Sequence, residues 1–143
     1  MKNIILLIVV LFSINGFTQK DLSKLLKKFN KETIPYITTE ELKSQAIVPI
    51  LLDSRESSEF KVSHLKNAVH VGYDHFDIDS VLQKIPNKEE KIVVYCSLGI
   101  RSETIALKLK KAGYTNVSNL YGGIFEWKNN DNTVYDLEDN ETE

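Results

Sequence analysis

An α/β fold built around a parallel sheet is what this sequence predicts, and three observations predict it. Short apolar runs alternate along the chain with segments of helical periodicity. The strongest runs, "ILLD" at Ile50–Asp53 and "KIVVYC" at Lys91–Cys96, are apolar nearly throughout, as in strands covered on both faces. The segments between the runs are long enough to cross back over a sheet, which implies parallel strands and right-handed crossovers. Bulk composition agrees. With 143 residues, 42% hydrophobic and 27% charged, the chain suits one packed domain and argues against wholesale disorder. A net charge of −2 and the lack of a basic stripe give no argument for nucleic acid or an anionic membrane as partner.

The first element is "MKNIILLIVVLFSINGFTQK". It opens with Lys2, runs apolar from Ile4 to Phe12 and ends in small and polar residues. This reads as a signal peptide over residues 1–18, with Gly16 and Thr18 at the −3 and −1 positions of a cut before Gln19. The run is shorter than the roughly 20 residues that span a bilayer, and no cysteine follows it to carry a lipid. The mature protein is expected to be exported, periplasmic or secreted, with no membrane span.

Residues 19–34 read as a helical lead-in, because Asp21–Glu32 places Leu22, Leu25, Leu26 and Phe29 on one face. "TTEELKS" offers Thr39 as the N-cap of a short helix with Glu40 and Glu41 in its first turn. After the strand Ile50–Asp53, "ESSEFKVSHL" suits one or two helical turns, and "NAVHV" (Asn67–Val71) a second short strand. Phe76–Ile85 reads as a helix with Phe76, Val81, Leu82 and Ile85 turned inward. The strand Lys91–Cys96 leads into "RSETIALKLKKAG", a helix with Ile105, Leu109 and Ala112 on one face. Lys108, Lys110 and Lys111 favour its negative end, and Gly113 is placed at C′. "TNVSNLYG" is a last strand and "GGIFEWKNN" a last helix. Residues 131–143 hold six acids and no base, and read as a frayed, solvated tail.

Chemistry concentrates at Cys96, the only cysteine. An exported protein with one thiol can form no internal disulfide, so the thiol is reactive, paired with another molecule, or buried and inert. Its neighbours favour reactivity. Cys96 ends the strongest strand, and ligands of open parallel sheets bind beyond the carboxyl ends of strands. The loop Ser97-Leu98-Gly99-Ile100 then leads to Arg101 and Ser102 at a helix start, where free N–H groups and partial positive charge favour a thiolate. Gly99 permits the sharp turn, and Arg101 adds a cation. The C-x4-R spacing is one residue shorter than the C-x5-R ring of cysteine phosphatases, and the smaller ring suits one sulfur atom bonded to Sγ.

These residues resemble the rhodanese-like single-domain sulfurtransferases. "VVYCSLGIRSETIALKLKKAGYTNVSNLYGGIFEW" is similar to their active-site strand, loop, helix and closing Gly-Gly…Trp segment. "LLDSRESSEFKVSHLKNAVHV" is similar to their upstream Asp-x-Arg…Glu-Phe…His-Leu signature. The likeness covers roughly Tyr36 to Asn129 and implies a domain at 35–130. Its expected fold is a three-layer sandwich: a central, mainly parallel sheet of about five strands with helices on both faces. It implies that Cys96 forms a persulfide, that Ser97, Leu98, Gly99, Ile100, Arg101 and Ser102 surround the substrate sulfur, and that Asp53 and Arg55 brace the site from outside. Gly122, Gly123 and Trp127 would form the closing turn and helix. Ser63 and Asn67 replace glycines of the family pattern, both as plausible turn residues. Leu98 and Ile100 stand where thiosulfate-using relatives often carry basic or polar residues, which favours a less charged donor or a protein thiol.

The expected activity is sulfane-sulfur transfer from thiosulfate or another persulfide source to cyanide, a small thiol or a protein thiol, by a monomer that needs no metal or organic cofactor. A persulfide carrier without turnover is the alternative, and a cysteine phosphatase or arsenate-handling enzyme a more distant one. Among quieter residues, His64 reads as a structural hydrogen-bonding group and Trp127 as a core anchor. "YDHFDID" looks at first like an acidic ion site around His75, but it lacks the glycine and terminal glutamate of a calcium loop. Asp77 or Asp79 serves as well to start a helix.

Overall fold

The computed structural model describes residues 18–143; the expected signal peptide, apart from Thr18, lies outside these residues. The elements, in chain order, are α1 (Gln19–Phe29), β1 (Tyr36–Ile37), α2 (Thr39–Lys43), β2 (Ile50–Asp53), α3 (Ser57–Val62), β3 (Val69–His70), α4 (Ile78–Lys84), β4 (Ile92–Tyr95), α5 (Arg101–Lys111), β5 (Val117–Leu120), α6 (Gly123–Asn129), β6 (Val134–Tyr135) and β7 (Glu141–Thr142). Strands β1 to β5 form one sheet in the order β1-β5-β4-β2-β3, with every pair parallel.

Strand β4 is central, and all four of its residues are fully buried. Its side chains alternate between two cores, as the two-residue period of a strand requires. Ile92 and Val94 join Leu52, Ile105, Leu109 and Val117 beneath α4 and α5. Val93 and Tyr95 join Leu51, Leu42 of α2 and Ile124 of α6 on the other face. The result is the expected three-layer α/β sandwich.

Strand order places the site. After β2 the chain moves outward to β3, and after β4 it moves the other way, to β5. The carboxyl ends of β2 and β4, where the two connections diverge, are the switch point at which sheets of this kind form a binding crevice. Asp53, Ser54 and Arg55 leave one strand there, and Cys96 and its loop leave the other.

Several local expectations are corrected. The lead-in helix runs Gln19–Phe29 and not Asp21–Glu32, and it buries Leu22 and Leu26 while Phe29 is 57% exposed. Thr38, not Thr39, caps α2, accepting the Glu41 N–H while the Glu41 side chain accepts the Thr38 N–H. Two adjacent threonines fit the same capping pattern, and packing selects the first by burying the second. Strand Asn67–Val71 shrinks to Val69–His70, since Asn67 is left-handed at φ 60° and closes a turn in which the Ala68 N–H reaches Leu65 O. Helix Phe76–Ile85 shrinks to Ile78–Lys84, capped by Asp77. The edge strand β1 has no counterpart in the sequence reading, because two residues show no periodicity.

The acidic tail is folded. Val134 is buried with Leu65 and Ile124, and Tyr135 exchanges backbone hydrogen bonds of 2.8 and 2.9 Å with His64. β6 and β7 then pair antiparallel around Asp136, whose carboxylate accepts the N–H groups of Glu138 and Asn140. Composition was a poor guide here because one buried valine anchors the segment while its acids stay at the surface.

Candidate active site

Cys96 follows β4 directly and is only 2% exposed. Its Sγ accepts the Gly99 N–H at 3.1 Å and lies 3.4 Å from Ser102 Oγ. The Ser102 hydroxyl donates to Asn119 Oδ1 at 2.6 Å, so β5 holds the first turn of α5 against the thiol.

Four carbonyls of the loop are tied by hydrogen bonds. Cys96 O accepts the Ile124 N–H at 2.9 Å and Ser97 O the Phe125 N–H at 3.1 Å, both from the start of α6. Gly99 O accepts two side-chain amides, Asn30 at 2.8 Å and Asn119 at 2.9 Å. Ile100 O accepts the Glu103 N–H. In a trans peptide the C=O and the next N–H point opposite ways, so anchoring these carbonyls turns the following N–H groups into the loop. The Gly99 N–H reaches Sγ directly, and N–H groups gathered in such a turn suit an anionic atom.

Two glycines make the loop possible. Gly99 sits at φ +105°, and a Cβ there would come within 3.3 Å of Leu120 O. A Cβ on Gly123 would lie 2.3 Å from Cys96 O, so only glycine lets α6 approach the end of β4 this closely.

Arg101 ties the loop to α3. Its guanidinium forms a two-pronged pair with Glu59 of α3, at 2.8 and 2.9 Å, and also donates to Ser97 Oγ at 3.0 Å. The hydrogen bonds from Arg101 pull the Glu59 carboxyl down to about 2, and those to Glu59 push Arg101 further above its ordinary value. Leu98 lies at the side, lining a groove of about 480 Å³ with Leu22, Gly122 and Phe125. Ile100 is half-buried.

Neither Asp53 nor Arg55 hydrogen-bonds to Cys96. They form a buried ion pair at 2.7 Å, and Arg55 Nη2 also donates to Ser63 O at 2.5 Å. Ser54 donates through N and Oγ to Tyr95 O, both at 2.9 Å. The pair thus stiffens the end of β2 beside the residue that precedes Cys96. His64 is structural: its Nδ1 donates to Phe60 O at 2.9 Å, and its ring stacks on Phe60. Trp127 is half-buried and its Nε1 donates to Thr133 O, fixing the way into the tail.

Four residues of the site were not singled out from sequence: Glu59, Asn119, Asn30 and Glu103. Glu103 is 4% exposed and accepts the backbone N–H groups of Lys31 (2.6 Å) and Glu32 (3.1 Å), pinning the segment after α1 to α5. Only Glu59 carried a signal, as part of the Glu-Phe signature. The asparagines are ordinary polar residues until the fold brings them to Gly99.

The rhodanese-like domain family matches this chain over residues 37–130. The tRNA uridine(34) hydroxylase of Onion yellows phytoplasma (strain OY-M) is 36% identical over 81 residues, covering 54% of this chain and 26% of that protein. The adenylyltransferase and sulfurtransferase UBA4 of Candida albicans is 36% identical over 83 residues, covering 54% of this chain and 19% of that protein. The chain thus spans about a quarter or less of the length of these curated relatives. A crystal structure of a rhodanese-like domain protein from Staphylococcus aureus superposes with a TM-score of 0.58 at 28% identity, covering 66% of this chain and 91% of that one. With this match, and with a cysteine loop seated at the divergence of β2 and β4, the chain belongs to the family of rhodanese-like domains.

Proposed function

We propose that this protein is a sulfurtransferase that carries a sulfane sulfur as a persulfide on Cys96. The observation that carries the reading is the loop itself: one buried thiol at a strand end, bonded to the Gly99 N–H, with the loop carbonyls tied by hydrogen bonds. In the first step the Cys96 thiolate attacks the sulfane sulfur of a donor. The bond from that sulfur to the rest of the donor breaks, and its electron pair leaves with the remainder. In the second step an acceptor, cyanide or a thiol, attacks the outer sulfur and the Cys96 thiolate leaves. This is covalent catalysis with ping-pong kinetics. Ser97 to Ser102 hold the outer sulfur, and Asp53 and Arg55 support the loop from β2. No second thiol of this chain can resolve the persulfide into an internal disulfide.

Intact-mass spectrometry tests the reading. Incubation with thiosulfate or a thiosulfonate should add roughly 32 Da, the mass of one sulfur, and cyanide should remove it as thiocyanate. Cys96→Ser should do neither. Absence of any sulfur adduct at Cys96 with every donor would end the proposal.

We also propose export, on the strength of Lys2 and the apolar run Ile4–Phe12. No helix among the described residues is long and apolar enough to cross a membrane. Thr18 caps α1 in a reciprocal box with Asp21, so a cut before Gln19 would strip that cap and a cut upstream would keep it. The N-terminus of protein recovered from outside the cytoplasm decides both points.

A further inference from the structure

We propose that Glu59 sets the charge of the sulfur donor: by occupying Arg101 it makes the Cys96 site select donors of low negative charge over dianions such as thiosulfate. The inference rests on the sulfurtransferase reading and deepens it.

Arg101 is the one cation in the Cys96–Ser102 loop, and its guanidinium already has two hydrogen bonds to one carboxylate, at 2.8 and 2.9 Å. A two-pronged arginine–carboxylate pair is the strongest form this interaction takes. The remaining loop side chains are Ser97, Leu98, Ile100 and Ser102, none of them charged. The second arginine of the crevice, Arg55, is buried in its own pair with Asp53. Glu56 stands at the N-cap of α3, where its carboxylate accepts the Asp74 N–H, and it adds negative potential at Arg101. The two arginines are therefore matched one for one by Asp53 and Glu59, with the Glu56 carboxylate in excess.

A dianion that sought Arg101 would have to break the two-pronged pair and then lie beside the freed Glu59 carboxylate. Both costs rise with donor charge. A monoanionic or uncharged donor needs no such displacement. The arrangement differs from a site built to hold thiosulfate, where an unpaired cation would meet the sulfonate end.

Two donors that differ by one charge test this directly. Thiosulfate is a dianion and releases sulfite; methanethiosulfonate is a monoanion and releases methanesulfinate. Each surrenders its sulfane sulfur to Cys96 in the same displacement. The ratio of their kcat/KM values, taken within one preparation, is independent of the fraction of active protein. Glu59→Gln keeps the side chain's size and an acceptor oxygen for the Glu56 N–H that Glu59 now receives at 3.0 Å. It should shift the ratio toward thiosulfate by roughly tenfold, through KM, as expected for removing one partly screened charge near the anion. Arg101→Gln, which leaves Glu59 unpaired, should shift the ratio the other way. An unchanged ratio in Glu59→Gln, or a parallel fall for both donors, overturns the proposal while leaving the sulfurtransferase reading intact. Failure of both donors to load Cys96 in the unaltered protein overturns that reading first.

Discussion

Cys96, Glu59 and the two asparagines show how single side chains build the site. A thiol is an ordinary small core residue until N–H groups are aimed at it. Asn119 and Asn30 help to aim them, each giving an amide hydrogen to Gly99 O. Glu59 has a second effect, on stability. Its carboxyl lies near 4.5 when free and is pulled down to about 2 by Arg101. A carboxyl lowered on folding stabilises the folded state above its free value, and that contribution is lost as pH falls through the folded one. Denaturant unfolding should therefore show wild type more stable than Glu59→Gln above about pH 4.5, with the difference vanishing by about pH 2. Because Glu59 is one-third exposed, the gap should be modest. A gap that is constant with pH would show that the pair contributes nothing through charge.

Two helices act as clamps on the loop, from opposite ends of the chain. Helix α6 caps the carbonyls of Cys96 and Ser97 with its first free N–H groups, and the contact depends on Gly123. Gly123→Ala places a methyl 2.3 Å from Cys96 O at φ +59°, so the loop must move. The left-handed backbone alone costs about 1 kcal/mol. The variant should lose both thermal stability and sulfur loading, measured by a melting curve and by intact mass. Helix α1 lies before the family match at residue 37, yet it is joined to the site. Leu26 is fully buried and would lie 3.6 Å from a Cβ on Gly99, while Asn30 follows at the helix end. Leu26→Ala should cost roughly 2–5 kcal/mol in denaturant unfolding. An effect under 1 kcal/mol would mean that α1 is a passive leader and not part of the wall.

At the scale of the whole molecule, the tail after α6 packs against the sheet as α1 does. The tail crosses the connection between β2 and β3, burying Val134 and pairing Tyr135 with His64. His64 sits one residue after Ser63, whose carbonyl receives Arg55, so the tail backs the same brace that steadies β2. Removing residues 133–143 should cost about 2 kcal/mol from Val134 burial alone, seen as a lower thermal midpoint. A truncated protein that melts with wild type would show the tail to be dispensable for folding.

Periodicity and spacing were enough for the parallel α/β architecture, the strands around Ile50–Asp53 and Ile92–Tyr95, and the placement of Cys96 before a helix start. These are properties of contiguous residues: an apolar run needs two covering layers, and a thiol between strand and helix meets free N–H groups wherever the rest of the chain goes. The expected roles of Asp53 and Arg55 rest on a resemblance; the fold pairs the two with each other at the end of β2. What distance in sequence conceals is which polar residues meet. Asn30 and Gly99 are 69 positions apart, and Glu59 and Arg101 are 42. No local pattern encodes such pairings, because they exist only once the sheet order brings the ends of β2, β4 and β5 together. The same holds for the tail, where one valine outweighs six carboxylates only if a cavity awaits it. Local sequence therefore placed the thiol between strand and helix, and tertiary packing chose its neighbours, since long-range contacts are set by topology and not by composition.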